Sequence, residues 1–182
     1  MKPHAWLAET PWPTKQLDRD ELTQRIEHML ATHWMAVLCT SGTDGPIGSP
    51  VEYYADGTVV YVLPQPNSPK LKAMQKDPRV CLAVHAENSG WASVRGAQLF
   101  ASVEIIEPGT AEHAEAMEIY RWEPSAIQLG KSLSEPPQVQ LAKIDPHRIV
   151  YTEQWLRKDG YSPRQIWHKN PQIQGKSRQY GY

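Results

Sequence analysis

The stretch Asn67-Ser68-Pro69-Lys70-Leu71-Lys72-Ala73-Met74-Gln75-Lys76-Asp77-Pro78-Arg79-Val80 decides how this chain is read. Ser68 followed by Pro69 has the form of an N-cap with proline at the first helical position, where its missing N–H costs nothing. Leu71 and Met74 give the short helix one apolar face. Asp77-Pro78 ends it, because the residue before a proline is pushed out of the helical region. Charge is the unusual feature: Lys70 lies in the first turn, where the helix dipole disfavours a cation, and Lys72 follows closely. An anion at that helix end removes the conflict, since free backbone N–H groups, a capping hydroxyl and an ammonium then converge on it. A phosphate is the natural candidate; the alternative is that both lysines are simply solvated.

Strand patterns surround this helix. Before it, Met35 to Thr40 reads as a strand, Thr43-Asp44-Gly45 as a turn and Ile47 to Tyr54 as the hairpin partner. Ala55-Asp56-Gly57 turns into Thr58 to Leu63, where Val59, Tyr61 and Leu63 alternate with Val60 and Val62, so both faces of this strand are expected to be buried. After the helix, Arg79 to His85 and a long strand from Trp91 to Ile106 are expected, with Gly96 marking a bulge or a tight barrel bend. Pro108-Gly109-Thr110 opens a helix, residues 123–137 read as a Pro- and Ser-rich loop, and Val139 to Ala142 and His147 to Trp155 read as two last strands separated by Asp145-Pro146. Further upstream, Asp18 caps a leading helix with Glu21 completing a capping box. Leu17 and Leu22 form a hydrophobic staple, and Leu22, Ile26, Met29 and Leu30 share one face. Antiparallel strands in sequence with helices at the margins predict a mainly β fold, an antiparallel split β-barrel with peripheral helices. The organisation expected is an extended N-terminal arm over 1–16, a barrel domain over 17–156 and a basic extension over 157–182.

The composition narrows the class. With 182 residues, 40% hydrophobic, and a net charge of −1, the chain suits one domain with a full core. The N-terminal residues lack the apolar run of a secretion signal, and Cys39 and Cys81 lie in apolar stretches without CxxC spacing. They are expected to be buried free thiols, and the compartment cytoplasmic. His28, His33, His85, His113, His147 and His168 show no metal-ligand spacing, so each reads as satisfied or exposed and no metal is expected. No nucleophile–base motif appears. Residues 157–182 carry Arg157, Lys158, Arg164, Lys169, Lys176 and Arg178 against Asp159, a net +5 that leaves the remainder at −6. Such a tail with four aromatics touches nucleic acid in some proteins. Without a recognised nucleic-acid motif, packing on a partner subunit is the preferred reading.

Taken in order, these features resemble the pyridoxamine 5'-phosphate oxidase-like superfamily of FMN-binding split barrels. The likeness runs from about Leu22 to Ile106 and more loosely to Trp155. It rests on a leading helix before Ala36-Val37-Leu38-Cys39-Thr40, the hairpin into Gly48-Ser49-Pro50-Val51, and Val60-Tyr61-Val62-Leu63. Ser68-x-Lys70, Asp77-Pro78-Arg79-Val80 and Val94-Arg95-Gly96-Ala97 complete the series. The resemblance implies FMN as cofactor, with its phosphate on Ser68 and Lys70 and its ring along Ser49, Pro50, Val51, Leu63 and Pro64. It places Trp91 where the family has a polar side chain, leaves Arg95 either in solvent or beside the phosphate, and implies a homodimer with flavin at the subunit interface. The doubly apolar third strand points to the same dimer, since one small barrel has too little interior to cover both faces.

The departures set the function classes. Family members that oxidise the vitamin carry Glu-x-Trp followed by an Arg-x-His pair. Glu153-Gln154-Trp155 is present here, but Arg164 and His168 stand too late and too far apart. The expectation is an FMN-dependent oxidoreductase acting on a small-molecule substrate other than pyridoxamine 5'-phosphate. The alternative is a non-catalytic flavin- or heme-binding module, with a deazaflavin reductase as a third option.

Overall fold

Helix α1 (Arg19–Thr32) starts where its cap places it: the Asp18 carboxylate accepts from the Glu21 N–H at 2.9 Å. The reciprocal half of the capping box does not form, because the Glu21 carboxylate pairs instead with Arg25 at 2.9 Å. Leu22, Ile26, Met29 and Leu30 are buried as one stripe. The computed structural model describes residues 12–87 and 90–173. The first eleven residues of the expected arm, the tip at Asn88-Ser89 and the aromatic, basic end of the tail lie outside the described residues.

Seven strands follow: β1 (Met35–Gly42), β2 (Gly45–Asp56), β3 (Val59–Val62), β4 (Arg79–His85), β5 (Arg95–Ile106), β6 (Leu141–Glu153) and β7 (Arg164–His168). They form one antiparallel sheet in the order β3-β2-β1-β4-β5-β6-β7, and β3 also pairs with β6. That pairing closes six strands into a barrel and leaves β7 outside it. The barrel core is built from alternate residues on the inner face, with Leu38, Tyr53, Val60, Leu82, Leu99, Ile144 and Ile149 fully enclosed. The short helix α2 (Pro69–Lys76) carries the chain from β3 to β4 and buries Leu71, Ala73 and Met74.

Several expectations are corrected. The long fifth strand begins at Arg95, not Trp91: Trp91–Ser93 is a 3-10 turn in which Ser93 Oγ donates to the Gly90 carbonyl at 2.9 Å. Gly96 is not a bulge. It stays in register with His85 and Thr152, and a Cβ there would lie 2.9 Å from the Val84 carbonyl oxygen, so the position needs glycine for close strand approach. The bulge falls between Phe100 and Ala101, where β6 carries His147 as an extra residue. Asp145-Pro146 sits beside it, which lets one continuous β6 replace the two expected strands. The Pro- and Ser-rich segment contains a helix, α4 (Glu123–Gln128), with proline in its first turn. Arg164–His168, within the expected basic extension, pairs along β6 from Arg148 to Thr152, so the sheet continues past residue 156.

The faces of β3 are both covered, but by this chain itself. Val60 and Val62 join the barrel core. Tyr61 lies in a second cluster with Ile106 and Leu141 from the sheet, Met117 and Tyr120 from α3 (Ala111–Tyr120), and Trp122 and Ala126 at α4. At roughly 1.5–3 kcal/mol for each large apolar side chain fully buried, α3 and α4 have ample reason to dock there. The covered outer face of β3 therefore supplies no argument for a second subunit.

Candidate functional site

Ser68 occupies the N-cap of α2 with Pro69 at the first turn, yet its hydroxyl makes no capping bond. The Ser68 Oγ is buried and has no hydrogen-bond partner. Its backbone is fully used, the N–H donating to the Gln65 carbonyl at 3.2 Å and the carbonyl accepting from Lys72 N–H at 3.1 Å. Asn67 just before it has φ of 61°, the left-handed region that Asn tolerates better than most residues. An unpaired buried hydroxyl costs about 1–3 kcal/mol. A phosphate oxygen at this helix end would accept from Ser68 Oγ, and the half-buried Lys70 stands two positions along. The donor set fits an anion.

A second feature adjoins this one. β2 pairs with β1 from Gly45 to Glu52 and with β3 only from Tyr53 to Asp56. The flank of β2 that faces away from β1 is therefore unpaired over residues 45–52. The Tyr53 N–H donates to the Trp34 carbonyl at 2.9 Å, which fixes the alternation: residues 46, 48, 50 and 52 turn their backbone groups to the open flank. Two of these are Pro46 and Pro50, which have no N–H to leave unsatisfied. Gly48 supplies both a donor and an acceptor. Leu63 and the buried Pro64 leave the end of β3 toward the same region. This edge of backbone groups beside an anion cradle suits a flat heteroaromatic ring joined to a phosphate.

The side chains do not all contribute as the sequence suggested. Val51 is a core residue and Ser49 alternates with it toward the barrel interior, opposite Leu38, so neither reaches a ring on the outer side. Pro50 is exposed on the outer side. Trp91 is not brought to the other candidates. α2 enters β4 at Arg79, whereas Trp91 follows the other end of β4 beyond His85, seven residues or roughly 20 Å of strand away. There Trp91 stands edge-on to Trp12 at 6.1 Å, with the Arg157 guanidinium 4.6 Å from the Trp12 ring centre and 5.4 Å from that of Trp91. Arg95 belongs to that end too, paired in register with Glu153, and takes no place at the cradle. Arg164 and His168 share a face of β7 but are separated by Gln165-Ile166-Trp167, about 13 Å of strand.

Two groupings were not read from the sequence, although Lys72 itself stood out there beside Lys70. Lys72 and Lys76 line a groove between α2 and the β1–β2 hairpin, for which their i,i+4 spacing was the available signal. Glu52, the one acid of β2 between Gly45 and Tyr54, accepts from Ser125 Oγ at 2.6 Å and from Tyr54 OH at 3.5 Å. Burial first, and the Glu52 charge second, push the neighbouring Tyr120 phenol up. No signal in the sequence ties Glu52 to Ser125, since the contact needs α4, which read as loop.

The family model for pyridoxamine 5'-phosphate oxidase matches residues 22–153, and the chain belongs to that family. Solved structures share the fold. A heme binding protein from Mycobacterium smegmatis matches at 17% identity with a TM-score of 0.64, over 84% of this chain and 60% of that one. General Stress Protein 26 from Bacillus anthracis matches at 18% and 0.59, over 81% and 98%. A FAD-binding protein from Mesorhizobium loti matches at 16% and 0.56, over 69% and 90%. At these identities the likeness is one of fold, the split barrel. No curated protein matches the sequence significantly. No helix among the described residues is long and apolar enough to cross a membrane.

The unpaired Ser68 hydroxyl makes a sharp expectation. An ordinary N-cap Ser→Ala change costs about 1 kcal/mol, but Ser68→Ala should leave the ligand-free protein as stable as before or slightly more so, read as the midpoint of urea unfolding. A loss of stability near the ordinary capping value would mean that the hydroxyl has a structural partner.

Proposed function

We propose that this chain is a flavoprotein that holds an FMN unit by its phosphate and serves as an oxidoreductase on a small molecule. The observation that carries the reading is the buried, partnerless Ser68 Oγ at the end of α2, beside the open flank of β2. Ser68 would donate to the phosphate, Lys70 would supply the countercharge, and the backbone of Gly48 and Pro50 would meet the ring edge. When bound, the flavin supplies the electron-transfer chemistry, and the protein supplies orientation and electrostatics. Heme iron needs an axial side chain. Ser49, Pro50, Val51, Leu63, Pro64, Ser68 and Lys70 offer none, which favours flavin over heme. The two free thiols Cys39 and Cys81 suit a cytoplasmic setting.

Pyridoxamine 5'-phosphate is not the substrate proposed, because Arg164 and His168 are too far apart along β7 to grip one phosphate and ring together. Glu52, held by Ser125 at the end of the open flank, is the polar side chain best placed to meet a substrate there. Anaerobic mixing of FMN-loaded protein with pyridoxamine 5'-phosphate should leave the flavin absorbance unchanged. Rapid bleaching would make the separation of Arg164 and His168 irrelevant.

A homodimer remains part of the reading on different grounds from those in the sequence. Trp34, just before β1, is 63% exposed, and Met35 at 52% and Val37 at 36% follow on the outer face of the strand, a run of exposed apolar side chains. Trp91 stands too far along the barrel to reach its own cradle. Light scattering should give twice 20.7 kDa at micromolar concentration; a stable monomer would remove the two-subunit site.

The phosphate assignment is tested by titration. A charge-assisted contact is worth roughly 1.5–3 kcal/mol, or about ten- to hundred-fold in affinity. Lys70→Ala should weaken FMN by that factor and Lys72→Ala by much less, while riboflavin, which lacks the phosphate, should be indifferent to Lys70→Ala. Equal losses for FMN and riboflavin would contradict the assignment.

A further inference from the structure

Cys39 and Cys81 are the two cysteines of the chain, and the sheet sets them directly opposite each other on β1 and β4. Leu38 and Thr40 beside Cys39 turn into the barrel and are buried, as are Val80 and Leu82 beside Cys81. Both thiols therefore stand on the outer face, half-buried and free. The same row continues on either side. Gly48 lies opposite Cys39 on β2, and Phe100 lies opposite Cys81 on β5, with the Arg148 guanidinium 4.1 Å from its ring centre. Since Gly48 carries no side chain, Cys39 has a side chain directly across from it on one flank alone, and that is Cys81.

The backbone fixes the kind of pair. The Tyr53 N–H donates to the Trp34 carbonyl and the Ala86 N–H to the Arg95 carbonyl, both at 2.9 Å, so the odd-numbered residues of β1 and β4 turn their backbone groups to one another. Cys39 and Cys81 thus form a hydrogen-bonded pair, whose Cα atoms are about 5.5 Å apart, inside the roughly 4.4–6.8 Å that a disulfide spans. Their Cβ atoms fall at the wide end of the about 4.5–5.5 Å usual across strands, whereas a relaxed disulfide prefers roughly 3.5–4.5 Å. A bond here closes with strain, and strained disulfides are the ones that reopen readily. The thiols also sense each other: burial first and Cys39 second push the Cys81 thiol up, while Arg148 acts the other way.

Between the two cysteines the chain runs through the β1–β2 hairpin, β3 and α2, so the segment that carries the open flank and the Ser68 cradle begins and ends at this pair. We propose that Cys39 and Cys81 are a reversible oxidation site, closed to a disulfide by a small-molecule disulfide such as oxidised glutathione and reopened by excess thiol. One cysteine thiolate attacks the glutathione disulfide, whose S–S bond breaks and releases one glutathione. The other cysteine thiolate attacks the mixed disulfide and releases the second. Two protein thiols are oxidised to one disulfide, one glutathione disulfide is reduced to two thiols, and the two cysteine protons end on the two glutathiones. The closed bond ties both ends of the site-bearing segment together. The proposal is independent of the flavin reading.

The test is to equilibrate the full-length protein in glutathione buffers of increasing oxidised fraction, alkylate the remaining thiols and determine the mass of the denatured chain. Both thiols should disappear together, leaving a single chain two hydrogens lighter, and digestion should link the Cys39 peptide to the Cys81 peptide. Return to excess reduced glutathione should restore both thiols. Cys81→Ser, which keeps one thiol, should stop at a mixed disulfide carrying one glutathione; the wild-type result stands without it. Wild-type chains that carry two glutathiones, chains linked to each other, or thiols that stay reduced throughout would overturn the proposal. A bond that excess reduced glutathione leaves closed would also overturn it, since the strain that makes the site reversible would then be absent.

Discussion

The third strand is only four residues long, and the rest of the structure is organised around that shortness. β3 meets β6 at just three pairs, Val60 with Ile144, Tyr61 with Lys143 and Val62 with Ala142, and these close the barrel. Because β3 stops at Val62, it cannot cover β2 beyond Tyr53, and the first half of β2 is left with one flank free. Because it covers only the first half of β6, the second half is free to take β7. An unpaired row of backbone groups is normally a liability. Here it is blunted by Pro46 and Pro50 at two of the positions whose N–H would face outward, and what remains is a short edge of carbonyls with Gly48 and Glu52 as the donors.

The same early stop sets the position of α2. The chain leaves β3 through Leu63 and Pro64, turns at Asn67 and enters the helix at Ser68, so the helix end falls next to the open flank. Leu71, Ala73 and Met74 anchor α2 against the barrel, which fixes its N-terminus without any help from the Ser68 hydroxyl. The hydroxyl is therefore spare. A protein that needed Ser68 only as a cap would use it as one, and burial of an unpaired oxygen is a cost that a ligand can offset. Lys70 in the first turn adds a second local cost against the helix dipole, of the kind that an anion reverses.

Much of this was legible in the sequence because it depends on neighbours in the chain. The cap at Asp18, the hairpins and the limits of α2 all follow from local turn chemistry, and Ser68 and Lys70 stood out by their placement on one helix end. What was not legible depends on distant partners. Pro146 looked like a break because it cannot donate to a ladder, but His147 gives it a bulge to sit beside. Trp91-Ala92-Ser93 looked like strand until Ser93 closed a turn on Gly90. Proline in Glu123-Pro124-Ser125 suggested loop, although that residue is well tolerated in a first helical turn. The two-sided burial of β3 was read correctly, while its cause was not, since α3 and α4 supply the cover. That the Ser49 and Val51 side chains turn to the inner face of the second strand needs the register and was not legible.

The central claim is that the end of α2 and the open flank of β2 together hold a flavin. The absorption spectrum of the purified protein tests it most directly, combined with the spectrum of the small-molecule fraction released on denaturation. The account predicts paired near-ultraviolet and blue bands that pass into the released fraction and regain full flavin fluorescence there. A single sharp Soret band, or a colourless protein that takes up no flavin when FMN and FAD are added, would contradict it.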